Sequence, residues 1–327
     1  MNAFLALWVD EKDHKTIATV KETTITELPN EDVLVEIDYS GVNYKDALAI
    51  TGKGKILRTF PFIPGIDFSG RIVESNDDRW NKDDEVILTG WGVGERYFGG
   101  YSQYAKVKPE WLVARPEGLS GEQTMIVGTA GLTAALCVQD LLDSGLKPAD
   151  GAVVVSGASG GVGSFAIALL SSIGFEVTAV SSKKNNDYLT GLGANNILTL
   201  EEMSTPPHPL EKQRFVGAVD CVGNLVLARM LAEMSYGGTV TCCGLASGAQ
   251  LPTTVMPFIL RGVRLHGIDS VMCPTERRQQ AWGLIAKYIK PEMIESIRAD
   301  TISLSDLPDV AESIIENKHR GRYIVKL

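Results

Sequence analysis

Between the apolar tetrapeptide Ala152-Val153-Val154-Val155 and an apolar helical face beginning at Phe165, the chain runs Ser156-Gly157-Ala158-Ser159-Gly160-Gly161-Val162-Gly163. Small residues at this spacing suit the capture of a phosphate group by main-chain N–H groups. The apolar run reads as a central parallel strand, and Phe165-Ala166-Ile167-Ala168-Leu169-Leu170 reads as the buried face of a helix. Glycines between the two let the backbone turn sharply and bring its N–H groups against a pyrophosphate at the helix's positive end. Against the G-x-G-x-x-G dinucleotide fingerprint, Ala158 holds the first glycine place, Gly160 and Gly163 hold the second and third, and Gly157 lies just upstream. A bare match to that pattern says little, since a glycine-rich turn can serve without any ligand. Here strand, turn and helix all fall where the fingerprint needs them, so Ser159, Gly160, Gly161, Val162 and Gly163 are the expected cradle.

The next strand, Phe175 to Val180, ends in Ser181-Ser182-Lys183-Lys184. NAD-preferring sites carry an acid at this tip, about 20 residues past the glycines, to hold the ribose 2′-OH. Here two hydroxyls and two cations stand there, and no carboxylate occurs until Asp187. A carboxylate would repel a 2′-phosphate, whereas Ser181, Ser182 and Lys183 can donate hydrogen bonds and positive charge to it. NADPH is therefore the expected cofactor over NADH; the alternative is a solvated loop of Ser and Lys.

The elements that must position this turn fall into two patterns. Up to about Ser120 the chain is β-rich and broken by turns, with strands at Val33–Tyr39, Gly70–Glu74, Glu85–Leu88 and Tyr101–Val107. From Gly121 a long apolar helical run, Met125 to Leu142, leads into the glycine strand. Beyond it strands at Asn196–Leu198, Gly217–Cys221, Gly238–Cys243 and Val263–Ile268 alternate with helices, the rhythm of a doubly wound parallel sheet. Two helices, around 278–289 and 307–316, precede a closing strand, Arg322–Leu327, expected to return to the first domain.

Bulk properties exclude several classes. The chain has 327 residues, enough for two domains, with 44% hydrophobic and 22% charged residues, ordinary for a globular protein. A net charge of −9 argues against sequence-independent nucleic-acid binding. The first residues lack the basic start of a signal peptide, and no uninterrupted apolar stretch reads as long enough to cross a bilayer. Five cysteines show no paired spacing, which points to reduced thiols and a cytoplasmic setting.

Further segments carry a family resemblance: Gly41-Val42-Asn43-Tyr44-Lys45-Asp46-Ala47-Leu48, Pro64-Gly65-Ile66-Asp67-Phe68-Ser69-Gly70, Gly128-Thr129-Ala130-Gly131-Leu132-Thr133-Ala134, Tyr236-Gly237-Gly238 and the long Leu251–Arg261. With the two-part organisation they resemble the medium-chain dehydrogenase/reductase superfamily over essentially the whole chain, and within it the YhdH/YhfP-type quinone oxidoreductases that include acrylyl-CoA reductases. The resemblance implies an α/β protein with a GroES-like β-rich catalytic domain at 1–122 and 271–327, and a Rossmann NADPH-binding domain at 123–270. It implies a small-molecule acceptor, an enoyl-CoA or a quinone, with an NADPH-binding sensor as the non-enzymatic alternative, and pairing into a homodimer through the edge strand Val263–Ile268.

Zinc alcohol dehydrogenases of this superfamily place a Cys ligand where this chain has Asn43, and Gly-His-Glu where it has Gly65-Ile66-Asp67. A catalytic zinc needs about three protein ligands and an open position. With Cys and His missing at the matching places, no metal site is expected. Hydride delivery then requires an acceptor already activated by conjugation, and hydrogen-bond donors where negative charge builds on the carbonyl oxygen. The resemblance offers Asn43 and Tyr44 as those groups, with Tyr44 or water supplying the proton; packing or cofactor contact is the other reading of Tyr44. It also assigns cofactor contacts to Thr133, Gly244, Leu245 and Arg322. Thr133 can equally line the core, and Arg322 can equally pair with a carboxylate. Arg58, Arg261 and Arg264 are candidates for gripping the phosphates of CoA.

Overall fold

A computed structural model of the chain describes residues 3–182, 186–316 and 318–327. It divides into two compact units. One comprises Met1–Thr129, Ser270–Gln279 and Ile294–Leu327; the other comprises Ala130–Asp269 and Gln280–Met293. The sequence placed these divisions at 122/123 and 270/271, and assigned the whole tail to the first domain.

In the first unit the strands are β1 (Phe4–Lys12), β2 (Lys15–Thr23), β3 (Val33–Val42), β4 (Asp67–Ser75), β5 (Glu85–Thr89), β6 (Tyr104–Val107) and β7 (Leu112–Ala114), with helix α1 (Tyr44–Thr51) between β3 and β4. Helix α2 (Gly121–Asp143) leads out of this segment. Strands β1 and β2 form a hairpin whose turn residues, Asp13 (φ 51) and His14 (φ 59), are both left-handed, as the right-handed strand twist favours. No Asn-Gly or Asp-Gly marks that turn, and the hairpin was not legible in the sequence.

The second unit carries β8 (Val153–Val155), α3 (Gly161–Ile173), β9 (Val177–Ser181), α4 (Asn186–Gly191), β10 (Asn196–Thr199), α5 (Leu200–Met203), β11 (Phe215–Asp220), α6 (Asn224–Glu233), β12 (Met234–Cys242), α7 (Met256–Arg261) and β13 (Arg264–Gly267). Its six strands are all parallel, in the order β10-β9-β8-β11-β12-β13. The order reverses between β8 and β11, the position where a doubly wound sheet opens a crevice at its carboxyl edge. All three valines of β8 are fully buried, which explains the unbroken apolar run. Helix α3 ends at Gly174, whose φ of 107 is open to glycine, and its N–H closes the last turn on Leu170 O at 3.1 Å.

The tail holds α8 (Thr275–Tyr288), α9 (Pro291–Ile297), β14 (Arg298–Ile302), α10 (Leu307–Ile315) and β15 (Arg322–Lys326). Strand β15 pairs antiparallel with β3, Val42 opposite Tyr323, within a seven-stranded sheet ordered β14-β15-β3-β4-β5-β7, with β6 also on β3. Val42, Ala47 and Ile50 share a buried cluster with Leu307, Ala311, Ile314 and Val325, so α1 and α10 are fixed by one core.

Helix α2 is long and apolar enough to cross a bilayer, contrary to the sequence expectation, but it is mostly buried within the protein. It is also broken at Gly128 (φ 49, ψ −154), where the first unit ends.

Candidate functional site: a glycine turn and a buried charge cluster

At the carboxyl end of β8, Gly157 takes φ 59 and so performs the sharp turn, one residue before the first fingerprint place at Ala158. Ala158 is buried, its N–H donating to Val180 O at 3.2 Å. A Cβ on Gly163 would lie 2.4 Å from Gly157 O, so only glycine lets α3 pack against the turn. At Gly160 a Cβ would meet only Gly157 O at 3.3 Å, and Ser159, Gly160, Gly161 and Val162 are half-buried, which leaves this side of the turn open. The first N–H groups of a helix have no partner within it, so the start of α3 fits an anionic pyrophosphate.

Behind the turn, Asp220 ends β11. Its Oδ1 accepts from Ser156 Oγ at 2.7 Å and its Oδ2 from Gly223 N–H at 2.8 Å, while Ser156 Oγ accepts from Cys221 N–H at 2.9 Å. Burial pushes the Asp220 carboxyl up despite these bonds. The network ties β8 to β11 where the strand order reverses.

At the tip of β9, Ser181 is buried and Ser182 exposed; Lys183 lies outside the described residues. Thr133 is 6% exposed on the second half of α2, a core position. Gly244 is required by packing, since a Cβ there would sit 2.1 Å from Cys221 O, and Leu245 beside it is exposed.

In the first unit the structure gathers a cluster that the sequence showed only in pieces. Asn43 ends β3's connection and precedes α1; its N–H and Nδ2 donate to Asp46 Oδ2 at 3.0 and 3.1 Å. Nδ2 also donates to Asp67 Oδ2 at 2.9 Å, and Oδ1 accepts from Arg322 Nη1 at 2.9 Å. Both amide hydrogens of Asn43 are thus engaged, so Asn43 has none for a developing oxyanion. It is a positioning residue, and the catalytic role expected from the sequence is corrected.

Asp67 is fully buried: Oδ1 accepts from Gly41 N–H at 3.0 Å, Oδ2 from Thr129 N–H at 2.7 Å. Arg322 is 4% exposed and donates to Val42 O at 2.7 Å and Ile126 O at 3.1 Å, with Nη2 3.9 Å from Asp67 Oδ2. Of the two partners open to Arg322 in the sequence, the carboxylate lies beside it in this unit. Burial draws its pKa below the ordinary guanidinium value, opposed by the Asp67 charge.

Burial pushes Asp46 up to about 7, with the Asp67 charge adding to it, against hydrogen bonds from Asn43 and from Ile66 N–H at 3.0 Å. Tyr101, fully buried, donates its hydroxyl to Gly41 O at 3.1 Å. The helix break is explained here: a Cβ on Gly128 would fall 2.7 Å from Arg322 Nη2, and the amide that follows the break goes to Asp67.

Zinc does not fit this cluster. Its donors are one amide and two carboxylates already taken by N–H groups, and a fixed guanidinium stands beside them. Among the described residues no group of three His, Cys, Asp or Glu is arranged to hold a metal ion. Tyr44, first residue of α1, is 53% exposed and stands outside the hydrogen bonds described above. Arg261 donates to Ala232 O, Met234 O and Glu211 O, which ties α7 down and takes it out of the CoA candidates.

A β-rich unit closed by the chain's own tail and a second unit built on a six-stranded dinucleotide-type sheet define a class. The chain belongs to the medium-chain dehydrogenase/reductase family, with residues 29–117 matching the alcohol dehydrogenase GroES-like domain and 161–287 the zinc-binding dehydrogenase family. It is 54% identical to the "Probable acrylyl-CoA reductase AcuI" of Escherichia coli (strain K12), over 98% of this chain and 99% of that protein. The yhdH oxidoreductase of Salmonella enterica, solved in complex with NADP, superposes with a TM-score of 0.97 at 53% identity, covering 99% of each chain. Bacillus subtilis yhfP, solved with NAD bound, gives a TM-score of 0.97 at 42% identity, covering 100% of each chain.

Proposed function

We propose that this protein is a zinc-independent, NADPH-dependent reductase of activated C=C bonds, acting on acrylyl-CoA to give propionyl-CoA. The observation that carries the redox reading is the glycine turn at the end of β8, open on the side where α3 begins. The E. coli relative supports the acceptor. When bound, NADPH supplies the hydride. The chain's own contribution is to hold and orient: the N–H groups of Ser159, Gly161, Val162 and Gly163 take the pyrophosphate, Gly160, whose N–H closes the turn on Gly157 O at 3.0 Å, lets it approach, and Ser182 with Lys183 take the 2′-phosphate. Addition at the β-carbon of an enoyl thioester moves negative charge onto the thioester oxygen. The Tyr44 O–H is the donor for that charge, and Tyr44 or water then protonates the α-carbon.

Zinc independence is supported by Arg322, which already provides the positive charge among Asn43, Asp46 and Asp67. Pairing into a homodimer is supported by β13 at the sheet edge and by exposed Val255, Ile259 and Leu260 on the segment before it. A cytoplasmic location follows from the reduced-thiol reading of the five cysteines.

The test is NADPH oxidation with acryloyl-CoA, longer enoyl-CoA esters and naphthoquinones, compared by kcat/KM. Highest kcat/KM with acryloyl-CoA is expected. Preference for naphthoquinones makes the protein a quinone oxidoreductase, and tight NADPH binding without turnover of either makes it a sensor.

A further inference from the structure

Cys221 and Cys243 follow the last paired residues of two adjacent parallel strands. Asp220 stands opposite Cys242 in the β11–β12 register, and Cys243 N–H donates to Asp220 O at 2.9 Å, which carries the pairing one step further. Neighbouring strands lie about 4.8 Å apart, within the Cα separation that a disulfide spans. The two sulfurs are 3.8 Å apart, and both residues are half-buried, whereas Cys137 near them is fully buried.

This pair underlies the glycine turn. A Cβ on Gly157 would lie 3.2 Å from Cys221 Cβ, and a Cβ on Gly244 would lie 2.1 Å from Cys221 O. Shortening the sulfur contact to the bonded distance, about 2.05 Å, must therefore move main chain that packs against the turn or continues into Gly244 and Leu245.

We propose that Cys221 and Cys243 are a peroxide-reactive dithiol whose disulfide weakens dinucleotide binding at the glycine turn; the second half of this rests on the NADPH reading above. Cys243 is the attacking sulfur: contact with the thiols of Cys137 and Cys221 holds it below the ordinary thiol range, while the same contact, at 3.8 Å between the two sulfurs, pushes Cys221 up. The Cys243 thiolate attacks a hydroperoxide oxygen, the O–O bond breaks, and a sulfenic acid forms with release of an alcohol or water. The Cys221 sulfur then displaces hydroxide, which leaves as water with the Cys221 proton. Two thiols lose two electrons in all, and the peroxide gains them.

The test uses the full-length protein, reduced and then exposed to hydrogen peroxide, with alkylation of the remaining thiols and peptide mass mapping. A Cys221–Cys243 cross-link is expected, reversed by dithiothreitol. NADPH fluorescence titration should give a Kd at least about tenfold higher for the oxidised form. Cys243→Ser and Cys221→Ser should abolish the response and Cys242→Ser should retain it; the cross-link on the unaltered chain decides the matter if a variant fails to fold. A sulfinic acid without cross-link, or a bond from Cys137, overturns the pairing. A cross-linked protein that binds NADPH as the reduced one does overturns the switch and leaves the NADPH reading standing. A reduced protein that binds no NADPH overturns that reading, and the switch with it.

Discussion

Asp46 holds its proton in the folded protein where an unfolded chain has released it, because burial and the nearby Asp67 disfavour a second charge. From the ordinary value of 3.8 to about 7, the folded state binds the extra proton, so this group's contribution falls as pH rises. We expect Asp46→Asn to lessen that decline, by up to about 1 kcal/mol per pH unit, in denaturant titrations compared with the parent across this range. A slope unchanged by the substitution would contradict it. Arg322 stands at the opposite pole of the same cluster. Its replacement by Met leaves Asp67 buried without its cation, and a loss of about 3–5 kcal/mol is expected from chemical denaturation. Two residues past β9 in the sequence, Lys183→Glu should raise the Kd for NADPH about tenfold or more with little effect on NADH. Equal weakening of both would remove the 2′-phosphate assignment. Asn43 and Tyr44 are adjacent and both polar, and nothing in that dipeptide tells which is buried. The fold assigns Asn43 to the cluster and leaves Tyr44 at the surface of α1.

At the level of elements, the turn between β8 and α3 depends on contacts too close for any side chain. Gly163→Ala places a carbon 2.4 Å from Gly157 O and 2.7 Å from Ala158 Cα. NADPH affinity should fall at least about tenfold, measured by fluorescence titration. Gly191→Ala, where no atom lies within 4 Å, should change stability by less than about 0.5 kcal/mol. The central strands were legible because burial on both faces demands unbroken apolar runs, as in Val153–Val155. The β1–β2 hairpin was not, since its turn uses Asp13 and His14 in a conformation that those residues adopt only under the strands' twist. Strand β14, with the polar sequence Arg-Ala-Asp-Thr-Ile, gains its place from pairing with β15.

For the molecule as a whole, metal analysis of purified protein should find no stoichiometric zinc, and light scattering should give the mass of a dimer. Zinc retained after dialysis, and lost on Asp67→Asn, would overturn the first expectation. The sequence by itself determined the two-part organisation, the parallel sheet, the glycine turn and the missing acid after β9. All of these are local: period, residue size and charge over a few tens of residues settle them. Only the tertiary structure decided the roles of Asn43, Asp67, Gly128 and Arg322. These residues come from the β3–α1 junction, β4, α2 and β15, and they meet because the closing strand pairs with β3. A guanidinium buried so deeply must find carbonyls and a carboxylate within its own unit, and no spacing along the chain records which ones lie within reach.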